Sequence, residues 1–137
     1  TDALAVTGWD DTMERCDPYV EAGADVLFVE AVRSKKEAQD VVSRFDVPLL
    51  YNFVETGKSP LIPAPELQGL GFKLVIFPAS ALMLVTRAVA GLMDEIKTHG
   101  TTSHMMNQMA SLEECFNLVG MAELLAQDAK YASNPSM

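Results

Sequence analysis

Three short apolar runs recur along the chain and alternate with helical patterns. The runs start at residues 25, 48 and 73, and they cover residues 25–30 (DVLFVE), 48–53 (PLLYNF) and 73–77 (KLVIF). Each run is rich in β-branched or aromatic residues and is apolar on both faces, which predicts buried strands of a covered parallel sheet. This repeat constrains the fold more than any other feature of the sequence.

Helical patterns lie between and beside these runs, at residues 10–22, 34–45, 64–70 and 80–98. Gly23 and Gly71 follow two of them and predict left-handed helix ends, and Ser34 with Glu37 predicts a capping box. The alternation predicts an α/β fold, either a doubly wound sheet or part of a (βα)8 TIM-type barrel. The regular period without a glycine-rich phosphate loop favours the barrel, but a complete barrel needs about 250 residues.

Polar residues stand at the ends of the predicted strands. Glu30 ends the first, Asn52 and Glu55 end the second, and Ser80 follows the third. A buried amide without partners costs about 1–3 kcal/mol, so Asn52 in the stretch YNFVETGKSP needs a reason to be there. Such residues can simply tie down loops. Barrel enzymes, however, place their chemistry at the C-terminal ends of the strands, and the sequence therefore predicts a site at this edge.

Composition excludes several kinds of partner. The 137 residues carry a formal net charge of −9, with a pI near 4.5. This charge argues against nucleic acid and anionic membranes as partners. Cys16 and Cys115 are too few and too far apart for a zinc pattern or a disulfide scaffold, which favours a reducing, cytoplasmic location. His99 and His104 are interpreted as surface or packing residues.

The pattern changes after residue 100. Residues 101–110 (TTSHMMNQMA) lack helical periodicity, and Ser111 with Glu114 then predicts the capped start of an amphipathic helix. We therefore divide the chain into βα units over residues 1–100 and a linker with a final helix over residues 101–137. The apolar stripe of that helix must pack on its own barrel or on a neighbouring subunit.

Several linked stretches identify a family resemblance. The chain resembles the isocitrate lyase/phosphoenolpyruvate mutase superfamily, above all its methylisocitrate lyase, dimethylmalate lyase and oxaloacetate hydrolase-like members. The resemblance covers residues 1–100 closely and residues 111–132 more loosely, and it rests on the stretches TDALAV, AGADVLFVEA, VPLLYNFVETGKSP and LGFKLVIFPASAL. It implies the C-terminal half of a (βα)8 barrel, from the end of strand five through strand eight. It also implies a final helix exchanged between the subunits of a homodimer or homotetramer.

The resemblance implies a site as well. Glu30, as the catalytic residue, and Asn52 would face a small di-acid substrate, with the backbone of Phe53 and Val54 beside a substrate carboxylate. The family's metal-binding aspartates, its lysine–cysteine loop and its substrate-gripping arginine have no counterparts in this chain, so no metal ligand is assigned to it. We therefore expect the chain to be part of a longer protein and to be inactive alone.

The implied reaction is cleavage of a carbon–carbon bond in a 2-hydroxy or 2-oxo dicarboxylate. It would pass through a pyruvate-like enolate stabilised by Mg²⁺, with Mn²⁺ as an alternative ion. Met83 and Ala110 stand where methylisocitrate enzymes carry arginines, which favours a smaller or more apolar diacid. Two alternatives stay open: carbon–phosphorus chemistry of the phosphoenolpyruvate mutase or phosphonopyruvate hydrolase type, and a noncatalytic half-barrel fragment.

Overall fold

The computed structural model describes residues 1–132, which fall into two compact units that divide between Ala88 and Val89. The helices and strands follow one another in chain order. They are α1 (Ala3–Val6), α2 (Trp9–Glu21), β1 (Leu27–Phe28), α3 (Lys35–Arg44), β2 (Leu49–Asn52), α4 (Ala64–Leu70), β3 (Leu74–Ile76), α5 (Ser80–His99), a 3₁₀ helix (Ser103–Gln108), α6 (Leu112–Leu118) and α7 (Met121–Ala132).

The three strands form one parallel sheet in the order β1-β2-β3. Leu27 stands opposite Leu49 in the first pair, and Asn52 stands opposite Ile76 in the second. Parallel neighbours point their C-terminal ends to the same edge of the sheet, so Asn52 and the residues after β1 lie at one edge. The predicted mixed α/β fold with a parallel sheet is confirmed, whereas barrel closure, helix exchange and the division at residue 100 stay predictions.

The prediction of three buried strands is correct for two of them. Leu27, Leu49 and Tyr51 are at most 4% exposed and belong to the core of the first unit. Leu74 and Ile76 in β3 are 44% and 38% exposed, so the prediction is wrong for this strand. The physical reason is side-chain alternation: Val75 stands opposite Tyr51 and packs against the core, whereas Leu74 and Ile76 lie on the opposite face of the sheet.

The helix ends follow the predicted chemistry closely. Gly23 and Gly71 have φ angles of +92° and +110°, as glycines at left-handed helix ends do. The hydroxyl of Ser34 accepts a hydrogen bond from the Glu37 N–H at 3.0 Å, which caps α3. The Glu37 carboxylate, however, accepts from the N–H of Arg33 rather than from that of Ser34. The cap at α3 is therefore real, but it is not the reciprocal box that the sequence predicts.

The predicted final helix is two helices. α6 begins with a full capping box between Ser111 and Glu114, and Gly120, at φ +74°, separates it from α7. α5, α6 and α7 contain no buried residue among those that the structure describes. No helix within residues 1–132 combines the length and apolarity needed to cross a membrane.

Candidate active site

Glu30 lies two residues beyond β1, at the edge of the sheet where the parallel strands end. Its Oε2 accepts a hydrogen bond from Asn52 Nδ2 at 3.1 Å, and its Oε1 accepts from the N–H of Ala31 at 3.2 Å. The N–H of Glu30 itself donates to the carbonyl of Thr1 at 3.0 Å. These contacts hold the carboxylate in one orientation while leaving it room to accept further hydrogen bonds.

Asn52 is the last residue of β2, and its amide has one satisfied end and one unsatisfied end. Nδ2 donates to Glu30, whereas Oδ1 is buried and accepts no hydrogen bond within the described residues. A buried acceptor without a donor costs about 1–3 kcal/mol. The structure therefore holds an unpaired acceptor next to the Glu30 carboxylate.

A cavity of about 300 Å³ opens beside this pair. Glu30, Ala31, Asn52 and Val54 line it from the strand ends, and Asp2, Ala5 and the loop residues Gly57, Lys58 and Ser59 complete the lining. This volume is at the lower end of the range of small-molecule sites. Among the described residues, Lys58 is the one positively charged side chain in this lining, beside the carboxylates of Asp2 and Glu30.

Ala31 marks the strand end with an unusual backbone. Its φ angle is +62°, which makes it the only described residue other than glycine with a positive φ. A left-handed alanine costs about 1–2 kcal/mol, and such strain is concentrated at functional sites. The conformation places the Ala31 N–H against the carboxylate of Glu30. The sequence gives no signal for this strain, because alanine is not a residue that prefers the left-handed region.

The two predicted backbone contacts differ in their availability. The N–H of Phe53 donates to the carbonyl of Ile76 at 2.9 Å, and the Phe53 ring packs on Phe77 with centroids 4.9 Å apart. Val54 lines the cavity, and its N–H takes part in no hydrogen bond of the described chain. Of the two, only Val54 has an N–H free for a ligand carboxylate, and the substrate-binding roles of both residues stay predictions.

The remaining polar strand ends do not join the cavity. Glu55 is exposed and Ser80 begins α5, and neither is among the lining residues. The Ser80 hydroxyl is buried and has no partner among residues 1–132. The structure thus brings Glu30 and Asn52 together, leaves the other two aside, and adds Asp2 and Lys58, which sequence reasoning did not select. Their only signal was their place in the TDALAV and YNFVETGKSP stretches.

Tyr51 anchors the loop that passes over this cavity. Its side chain is buried, its hydroxyl donates to the carbonyl of Pro60 at 2.6 Å, and its ring packs edge-on against Phe72 at 5.2 Å. Burial raises the pKa of the Tyr51 phenol above its ordinary value, and a hydrogen bond with Ser59 has a smaller, opposite effect. The loop of residues 53–60 is therefore fixed at its far end by a strand residue.

Replacing Tyr51 with phenylalanine is expected to lower the free energy of unfolding by about 0.5–1.5 kcal/mol at neutral pH, because one buried hydrogen bond is lost. The folded-state pKa is raised, so this contribution is complete below the unfolded pKa of about 10 and is lost as pH rises through the folded pKa. Urea unfolding at pH 8 and pH 10.5 should therefore show a smaller difference at the higher pH. Tyr19→Phe, at an exposed tyrosine, is the control and should change neither value. An equal Tyr51→Phe effect at both pH values would contradict the argument.

The cavity does not contain a complete magnesium site. Mg²⁺ prefers an octahedral set of oxygen ligands, part of which can be water or substrate. Asp2 and Glu30 are the two carboxylates that line the cavity, and no described cluster of three metal-ligating side chains includes either of them. The residues described therefore do not fit the implied ion by themselves, and the chemistry below is assigned to their own atoms.

Comparison with known proteins places these residues in a larger context. Residues 1–97 match the family described as Phosphoenolpyruvate phosphomutase. The chain is 35% identical over 130 residues to the 2-methylisocitrate lyase of Aeropyrum pernix, which covers 95% of this chain and 42% of that protein.

Two solved structures are similar to this chain in overall fold. The crystal structure of 2,3-dimethylmalate lyase matches with a TM-score of 0.82 and 32% identity, over 96% of this chain and 46% of that one. The structure of oxaloacetate acetylhydrolase with its product oxalate matches with a TM-score of 0.79 and 30% identity, over 96% of this chain and 45% of that one. The chain thus spans less than half the length of the relatives it matches.

Proposed function

Because the chain belongs to the phosphoenolpyruvate mutase/isocitrate lyase superfamily, we propose that the complete protein cleaves a carbon–carbon bond in a 2-hydroxy or 2-oxo dicarboxylate. The observation that carries the proposal is the pair formed by Glu30 and Asn52 at one sheet edge, with their side chains 3.1 Å apart on one cavity. The names of the similar proteins, two lyases and one hydrolase, support the same class of reaction.

Each residue of the pair has a separate role in this proposal. The Nδ2 atom of Asn52 donates the 3.1 Å hydrogen bond to Glu30 Oε2 and so positions the carboxylate toward the 2-hydroxyl group of the substrate. Glu30 is the catalytic base and takes the hydroxyl proton. The carbon that carried the hydroxyl becomes the carbonyl carbon of a 2-oxo acid, and the electron pair of the broken bond stays on the departing carbon as an enolate until that carbon takes up a proton, which balances the proton that Glu30 received. A 2-oxo substrate would first add water to its carbonyl group, and the same step would then release a carboxylic acid instead of a 2-oxo acid.

Positive charge and backbone donors would bind the substrate carboxylates. Lys58 lines the cavity, and so does Val54, whose N–H has no partner among the described residues. Charged hydrogen bonds of this kind contribute about 1.5–3 kcal/mol each. Phe53 would shape the cavity from behind Val54, since its N–H is already donated to β3.

The larger assembly is part of the same proposal. The sheet β1-β2-β3 would be the last part of a (βα)8 barrel, and β3 would find its second neighbour there. The helices after residue 100 bury no side chain among the described residues. The apolar side chains of Leu118 and Val119, for example, are 88% and 74% exposed. Exchange of this segment between the subunits of a homodimer or homotetramer would cover these apolar side chains.

The proposal is tested by incubating the complete gene product with 2,3-dimethylmalate, oxaloacetate, 2-methylisocitrate and phosphonopyruvate and following the products by NMR. We expect turnover of one of the first two, with 2-methylisocitrate at least about tenfold slower, because Met83 supplies no charged donor and one such bond is worth about tenfold or more. EDTA should abolish turnover, and Mg²⁺ or Mn²⁺ should restore it, because the superfamily resemblance implies a divalent ion, which residues of the complete protein beyond those described would hold.

The other outcomes are informative. Turnover of phosphonopyruvate alone would favour carbon–phosphorus chemistry, the second candidate, which the family description supports. Turnover of 2-methylisocitrate at the rate of the smaller diacids would contradict the size preference. Full activity in EDTA would contradict the dependence on magnesium. A complete protein that turns over none of the four compounds would contradict the proposed reaction.

A further inference from the structure

Three side chains that can ligate a metal ion come together in the second unit. Glu95 and His99 are one turn apart near the end of α5, and His104 lies on the 3₁₀ helix that follows. The sequence interpretation placed both histidines in surface or packing roles. One ligand atom from each of the three residues lies within 4.8 Å of the others.

The distances among these side chains match the needs of a small tetrahedral ion. Nδ1 of His104 is 2.7 Å from Oε1 of Glu95, and Nε2 of His99 is 3.8 Å from Oε2 of Glu95. Ligand atoms held about 2.0–2.2 Å from a tetrahedral ion are about 3.3–3.6 Å apart. The observed separations lie on either side of that value, so side-chain adjustments of a few tenths of an ångström up to about an ångström would complete the geometry.

The surroundings hold the cluster in place without closing it. The Glu95 side chain is 14% exposed, whereas those of His99 and His104 are 49% and 64% exposed. The two imidazole rings meet edge to face with centroids 5.1 Å apart. A partly buried carboxylate thus lies between two accessible imidazoles, which gives an ion a direct path from solvent.

The chemistry of the ligand set selects the type of ion. Imidazole nitrogen suits Zn²⁺, Cu²⁺ and Ni²⁺, whereas Mg²⁺ prefers oxygen ligands in octahedral geometry. Two histidines and one carboxylate also form the protein ligand set of some three-ligand zinc sites, in which the fourth position is left to water. The cluster therefore does not provide the magnesium site of the proposed reaction.

The geometry points to a zinc site formed by Glu95, His99 and His104, a function separate from the reaction proposed above. His104 stands beyond the turn at Gly100, whose φ is +66°, so a bound ion would join the 3₁₀ helix to the last turns of α5. Packing already brings these segments together, because a Cβ added at Gly91 would lie 3.9 Å from the Met105 methyl carbon. The ion would crosslink the two helices and stabilise this turn.

The test is titration of the complete protein, made without a histidine affinity tag, with ZnCl₂ by calorimetry. Glu95→Gln, His99→Ala and His104→Ala should each weaken binding of one Zn²⁺ per chain by about 100-fold, because even indirect partners of metal ligands are worth about 10- to 100-fold. Zn²⁺ should also raise the melting temperature of the unsubstituted protein and of none of these variants.

Two variants serve as matched controls. Asp94→Asn removes a negative charge from the neighbouring exposed position of α5, and Cys115→Ser removes the exposed thiol. Both should bind Zn²⁺ as the unsubstituted protein does. Three results would each overturn the assignment. They are binding by all three ligand variants that is as tight as binding by the unsubstituted protein, no binding by the unsubstituted protein, and displacement of Zn²⁺ by equimolar Mg²⁺. None of these readouts depends on catalytic turnover.

Discussion

Glu30→Gln is expected to lower kcat/KM of the complete protein by about 10²–10³-fold, because the variant keeps the shape of the side chain but cannot take the proton from the substrate hydroxyl. Asn52→Ala should have an effect of similar size, about 10²–10³-fold, since it removes a fixed hydrogen-bonding group from the reacting centre. Both variants should fold, because the pair lies at the C-terminal ends of β1 and β2 and neither residue belongs to the buried core. Initial rates on the preferred diacid, together with melting curves, measure both effects.

The pair also predicts how the two substitutions combine. Since Glu30 and Asn52 share a hydrogen bond, the double variant should lose less activity than the product of the two single losses. Glu21→Gln makes the same chemical change at an exposed position of α2 and should leave kcat/KM unchanged. A Glu30→Gln protein that melts normally and keeps full activity would remove Glu30 from the reaction.

Gly71→Ala is expected to lower the free energy of unfolding by about 2–6 kcal/mol. Two effects add at this helix end. The φ angle of +110° lies outside the usual range of residues with a Cβ, at a cost of about 1–3 kcal/mol. A Cβ would also lie 2.6 Å from Cγ1 of Val42, and such overpacking costs about 1–3 kcal/mol. Chemical denaturation of the complete protein measures the loss.

Two further variants separate the effects. Gly23 ends α2 with a φ angle of +92°, and a Cβ there would meet nothing within 4 Å. Gly23→Ala should therefore lose only the backbone part, about 1–3 kcal/mol. Val42→Ala should relieve the overlap, so that Gly71→Ala costs less in its presence than alone. Equal costs for Gly71→Ala and Gly23→Ala would mean that contact with Val42 plays no part.

The sequence predicted the order of elements better than their environment. Residues 64–70 form the predicted helix between the predicted boundaries, and Gly23 and Gly71 end helices as expected. Helix boundaries and helix-ending glycines depend on residues that are near one another in sequence, so a short stretch of sequence is enough to predict them. The exposure of Leu74 depends on what covers its face of the sheet, which is the face opposite the core, and no pattern within KLVIF contains that information. The break at Gly120 was missed because the apolar stripe continues on both sides of it.

The site shows the same division. Glu30 and Asn52 were selected because polar residues at strand ends stand out against apolar runs, and the structure joins them by a hydrogen bond. Which atom of Asn52 stays unpaired, and that Ala31 adopts a left-handed backbone, follow from three-dimensional packing. The meeting of Glu95, His99 and His104 depends on how the chain turns at Gly100, so the spacing of the histidines could not reveal it.

Every fully enclosed apolar side chain of the described chain lies at or before Phe72. Substitutions in that first stretch are limited by burial. A polar atom at Leu67 could not form a hydrogen bond with water, and a smaller side chain would leave a cavity. At Leu118, which is 88% exposed, the same change meets no such limit within this chain. Sequence drift in the two regions should therefore follow different rules, with interior shape governing the first and whatever surface comes to rest on the helices governing the second.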